Sequence, residues 1–197
     1  FIWGKMSNFA HVSNDYFMTV EEYIQLKVFA RQDGALLALL WVGCFACYVM
    51  GMNSPTFSMF AVLLLFLTPF FVAFRLRNFR DYGREGVISF KRGWGFVVLV
   101  FFYASVLFAI VQYAYFAYLD QGFLLDSFSK ILDSDEAQQM LTQYNMKDEM
   151  SQSLREIQEM RPIDLSLNVM TTNVLLGMLL GLPIAALMQR KTKRIDS

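Results

Sequence analysis

Four stretches of this sequence are too long and too apolar to be core helices of a water-soluble domain. Residues 35–52, 57–74, 94–119 and 167–188 contain no Asp, Glu, Lys or Arg. A helix crosses a hydrocarbon layer of about 30 Å with roughly 17–25 apolar residues. Backbone amides find no partner in lipid, so such a run must be helical or part of a closed barrel. The barrel is excluded by pattern, since its strands alternate over about ten residues and these runs are continuous. Composition agrees: 56% of the 197 residues are hydrophobic and 20 are Phe, against about 45–50% apolar residues in an ordinary soluble domain. The expected fold is all-α, an integral membrane four-helix bundle.

The connections divide the chain further. Asn53-Ser54-Pro55-Thr56 is turn chemistry, so the first two spans (35–74) form a tight hairpin. A basic loop (75–93) leads to the third span (94–119), which ends in Tyr113-Ala-Tyr-Phe-Ala-Tyr118. That Tyr-rich end fits an interfacial aromatic belt. A polar insert (120–166) precedes the fourth span (167–189), and residues 190–197 form a basic tail. Residues 1–34 are read as an N-terminal segment carrying an amphipathic helix over 19–33. Thr19 and Glu22 make a capping box there. Val20, Tyr23, Ile24, Val28 and Phe29 supply an apolar stripe. This helix is expected to lie on the membrane surface. No cleavable signal peptide is evident, and the five residues before Met6 carry no functional argument.

Basic residues set the orientation. Of 17 Lys and Arg, six lie in 75–93, four in 190–197 and three before the first span, all on one side of a four-span chain. The insert has four, against ten acidic residues. Both termini and the basic loop are therefore expected in the cytoplasm, and the insert outside, which in a Gram-negative host is the periplasm. Within the insert, Asp133-Ser134-Asp135-Glu136 signals a helix through about Tyr144. Met146, Met150, Leu154, Ile157 and Met160 give one face of a second helix, ended by Pro162. Two or three short helices over the bundle mouth are expected.

Few residues offer chemistry. The single His, His11, has no partner set for a triad. Cys44 and Cys47 lie within an apolar run without a nearby His, Asp or Glu, and read as small packing residues on one helix face. Asp120 and Asp126 read as solvated carboxylates. No cofactor or metal is implied, and zero net charge points to no nucleic-acid partner. The uncharged spans argue against a proton-coupled pump. Gln112 and Asn173 are expected to pair between spans, and Gly177 and Gly181 form a G-x-x-x-G close-approach site, its partner internal or in another subunit. Pro69 and Pro183 are candidates for kinks that open a cleft toward the cytoplasm. Arg75, Arg77, Arg80, Arg84, Lys91 and Arg92 are the candidate contact residues for a protein partner or a lipid phosphate. Anionic headgroups attract such residues by about 1 kcal/mol each.

Phe29-Ala-Arg-Gln-Asp-Gly-Ala-Leu-Leu, Arg77-Asn-Phe-Arg-Asp-Tyr with Gly86-Val-Ile-Ser-Phe, and Tyr113-Ala-Tyr-Phe-Ala-Tyr-Leu-Asp together resemble the bacterial domain-of-unknown-function family 4199. The resemblance covers the chain from about residue 20. It implies a small four-span protein with a basic loop and a helical insert, often encoded beside polyprenyl-phosphate glycosyltransferases. It implies no catalytic residue. The reading reached is a non-enzymatic accessory subunit that anchors such a glycosyltransferase, associates with anionic lipids, and joins a protein partner or a second copy. The alternative is a transporter or flippase-like protein for a lipid-linked sugar, which requires a polar cleft of headgroup size.

Overall fold

The computed structural model describes residues 19–190. His11, Lys5 and most of the basic tail lie outside the described residues. Seven α-helices follow in order: α1 (Val20–Gly51), α2 (Pro55–Asn78), α3 (Phe90–Tyr118), α4 (Phe123–Leu132), α5 (Asp135–Gln143), α6 (Lys147–Glu159) and α7 (Pro162–Met188). A π-helical turn, Phe79–Gly83, extends α2. Four helices, α1, α2 with its π turn, α3 and α7, are long and apolar enough to cross a membrane. The chain is a helical membrane bundle.

The first helix departs from expectation. The 19–33 segment is not a separate element: α1 runs unbroken for 32 residues from its Thr19 cap. At 1.5 Å per residue it is about 48 Å long, well beyond the hydrocarbon thickness, so its first turns reach out to the level of the 84–92 segment, where Glu22 pairs with Arg84 and Arg92. Two features let it continue. Asp33, which would be costly inside a span, is paired with Arg75. Gly34 does not break the helix because α3 presses on it: a Cβ there would lie 2.7 Å from Tyr103 Cβ. The capping box at Thr19 and Glu22 is formed in both directions. The expected apolar stripe is split. Leu26 and Ala30 face the bundle, with Phe29 against Phe79, while Val20, Tyr23, Ile24 and Val28 face outward.

The core is centred on α3. Phe96, Val97, Val100, Phe101 and Ala104 are all but inaccessible, and both α1 and α7 pack along this helix. The G-x-x-x-G pair is the α7 half of that seam. A Cβ on Gly177 would collide with Phe101, and one on Gly181 would lie 2.9 Å from Trp94 Cδ1. The Trp94 indole N–H then donates to the Met178 carbonyl at 3.0 Å. The partner of the glycine pair is thus internal. Pro69 and Pro183 both lie inside continuous helices.

The insert is three helices, none with a buried residue. Gly122 enters α4 with φ 88°, a left-handed conformation that suits glycine. The Ser134 hydroxyl accepts from the Ala137 N–H and caps α5. The second of them touches both its chain neighbours.

The seam predicts a sharp contrast. Gly177→Leu forces α3 and α7 apart and is expected to cost about 1–3 kcal/mol, as overpacking typically does. Gly95→Ala, where a Cβ meets nothing within 4 Å, is expected to leave the thermal unfolding midpoint in detergent unchanged or raised.

Candidate functional site

The six basic candidates gather at one end of the bundle, where the start of α1, the 79–89 connection and the end of α7 meet. An antiparallel bridge joins Ile88 and Arg190, with N–H to carbonyl distances of 3.1 and 3.0 Å. It puts the basic loop and the end of α7 on the same side, as the charge distribution implies.

Most of the arginines are turned inward on acidic partners. Glu22 lies between two of them: Arg84 Nη1 donates to Oε1 at 2.7 Å and Arg92 Nη2 to Oε2 at 3.0 Å. Arg75 pairs with buried Asp33. Arg80 is buried, donating to both carboxylate oxygens of Asp81 and, at 3.1 Å, to the Met188 carbonyl at the end of α7. That carbonyl is one of the helix-terminal acceptors that need an outside donor. The π turn makes this possible. Its widened spacing places neighbouring Phe79 and Arg80 both toward the interior, Phe79 stacked on Phe96 at 4.6 Å between ring centroids. The loop therefore acts first as a clasp holding four helix ends together.

What remains outward is a smaller patch. Arg77 is 64% exposed and only loosely paired with Asp81 at 3.6 Å. Beside it Tyr82 is 85% exposed, and Lys91 also reaches the surface. Tyr82 is the residue that motif reading passed over. Glu22 and Asp33 were passed over as well, because a charge count over the loop alone does not reveal carboxylates on α1.

The intramembrane polar residues do other work. Gln112 and Asn173 do not pair. Phe101 against Gly177 and Gly93 against Ala185 fix the antiparallel register of α3 and α7. In that register Gln112 is level with Ser166, and Asn173 is about two turns nearer the basic end. Gln112 is buried and its Oε1 has no partner among the described residues. Asn173 lines a partly open cavity of about 590 Å³ bordered by α1, α2, α3 and α7. This space lies between mid-bundle, at Trp41 and Pro69, and the hairpin end, at Tyr48 and Ser58. It is thus in the half away from the arginines, not on the side where proline kinks were expected to open a cleft. Its wall is almost wholly hydrocarbon.

Cys44 is a packing residue on this wall, its thiol donating to the Ala61 carbonyl at 3.3 Å. Both cysteines are free thiols. Asp120 is buried rather than solvated and accepts from the Leu124 N–H at 3.1 Å. Among the described residues no three His, Cys, Asp or Glu side chains gather as a metal site.

A family model described as "Protein of unknown function (DUF4199)" matches residues 32–190. The chain belongs to this family. The match begins after the first turns of α1, so it leaves out Glu22 and takes in the rest of the spans, the loop arginines and the insert. No curated protein and no solved structure shows significant similarity to the chain.

The clasp predicts a specific mutational pattern. Asp33→Leu strands Arg75 and is expected to cost about 3 kcal/mol, the low end for breaking a buried pair because Arg75 reaches the surface. Asp33→Leu combined with Arg75→Leu is expected to recover most of that loss in detergent unfolding.

Proposed function

We propose that this member of the DUF4199 family is a non-enzymatic accessory subunit of the bacterial inner membrane, with both termini and the basic end in the cytoplasm. It holds a membrane-associated partner, a glycosyltransferase of the polyprenyl-phosphate type, against the cytoplasmic surface. The observation that carries this reading is the use made of the charges. The ion pairs of Glu22 and Asp33, with the hydrogen bond from Arg80 to the Met188 carbonyl, tie helices to one another. They form a rigid platform rather than a set of groups poised on a substrate space.

Arg77, in the last turn of α2, and Tyr82, in the π turn, project from that platform. Tyr and Arg are the residue types that most often carry binding energy at protein interfaces, and π turns recur at functional positions. The outward patch is therefore the contact surface in this reading, and Arg75, Arg80, Arg84 and Arg92 hold it in shape. The competing reading, a flippase-like protein for a lipid-linked sugar, draws on the same bundle. The cavity wall favours a hydrocarbon tail over a sugar headgroup, and ion pairs close the basic end.

Purification from native membranes in mild detergent tests the proposal. Wild-type protein is expected to bring down a stoichiometric partner, and Tyr82→Ala with Arg77→Glu is expected to lose it while retaining the wild-type unfolding midpoint. Recovery of the wild-type chain alone overturns the reading.

A further inference from the structure

The cavity in the hairpin half of the bundle needs an occupant. Its 590 Å³ falls within the roughly 300–1,000 Å³ of small-molecule sites. Water is a poor candidate, because a buried water needs two to four polar partners. Three of the polar groups on the wall are already engaged with the protein, which leaves the Asn173 amide and the Tyr48 hydroxyl on a wall that is otherwise hydrocarbon. Thr68 accepts from the Trp41 indole at 3.2 Å, Ser58 donates to the Gly51 carbonyl at 3.0 Å, and the Cys44 thiol is bonded to Ala61. An empty space of this size forfeits the dispersion contacts of its lining.

The cavity also has a mouth. Val62 and Phe66 of α2 and Leu176 of α7 line it and are 53%, 69% and 45% exposed, so it opens between these two helices. Both helices are membrane spans, and that surface faces hydrocarbon. One end of the cavity lies at Tyr48 and Ser58, within about a turn of the hairpin. A chain entering there keeps its headgroup at the interface.

We infer that this cavity is a binding site for one acyl chain of a bilayer phospholipid, taken from the leaflet at the hairpin end. The site selects by apolar lining and by length between the hairpin and Trp41, and its lining carries no charged side chain to hold a phosphate inside. The inference does not depend on the accessory-subunit reading and fails separately from it.

Trp41 reports on the site from its wall, where its own side chain is only 7% exposed. Of the three tryptophans, Trp3 and Trp94 are replaced by Phe. The full chain is then reconstituted in phosphatidylcholine vesicles with and without bromine on one acyl chain. Brominated lipid is expected to remove most of the Trp41 emission, and Ala61→Phe, which fills the cavity, is expected to restore it. Leu65→Phe at the mouth serves the same purpose should Ala61→Phe fail to fold. Unquenched Trp41, as a second copy covering the mouth would produce, overturns the inference. So does quenching that the filling variants leave unchanged. Native mass spectrometry of the purified protein is expected to show a retained phospholipid that the filling variants lack; a retained isoprenoid lipid in its place overturns the acyl assignment.

Discussion

Hydrocarbon offers no hydrogen-bond partner, and nearly every feature of this structure answers that constraint. Backbone amides are satisfied within four long helices. Polar side chains inside the bundle bond locally or to the adjacent helix, as Ser105 does to the Phe101 carbonyl and Trp94 to that of Met178. Without a hydrophobic drive between helices in lipid, close approach supplies the packing energy. That is why glycine lies wherever α3 meets a neighbour, at Gly34 of α1 and at Gly177 and Gly181 of α7. Among the described residues Gln112, buried with an unpaired oxygen, departs from the rule.

The same constraint divides the bundle into two unlike halves. At the basic end charges lie near water yet are largely covered, so each arginine is stabilised by a carboxylate or a helix-terminal carbonyl. The result is a closed, cross-tied end in which α1, the π turn, α3 and α7 support one another. The hairpin half has no such ties. There α2 leans on α1 but touches α7 only lightly, which leaves lateral space between them. A rigid polar platform at one end and an adaptable apolar opening at the other suit a protein that positions something else in the membrane.

Much of this architecture is legible in the residues themselves. Four uncharged runs mark the spans, Asn53 to Thr56 mark the hairpin, and basic segments mark which ends meet. Helix capping is equally plain at Thr19 and Ser134. Legibility ends where long-range pairing decides. The capping box and apolar stripe of 19–33 read as a surface helix apart from the uncharged run that follows, but Arg75, distant in sequence, pairs with Asp33 and the helix continues. A count of six basic residues reads as a phosphate surface only until Glu22 and Asp33 are seen to face them. The inward placement of neighbouring Phe79 and Arg80 depends on a π turn, which periodicity at 3.6 residues does not anticipate. Gln112 and Asn173 were matched by depth, whereas the α3–α7 register separates them.

The account turns on the clasp: the arginines of the basic loop are structural first, and only Arg77 and its exposed neighbours are left for a partner. A double-mutant cycle on Glu22 and Arg84 measures this most directly, using Glu22→Gln, Arg84→Gln and the double variant in reversible detergent unfolding. Groups that share an ion-pair network show coupling of about 0.5–3 kcal/mol, and a value in that range is predicted here. Additive effects, within roughly 0.3–0.5 kcal/mol, would show that the loop arginines are not held by α1 and would contradict the clasp.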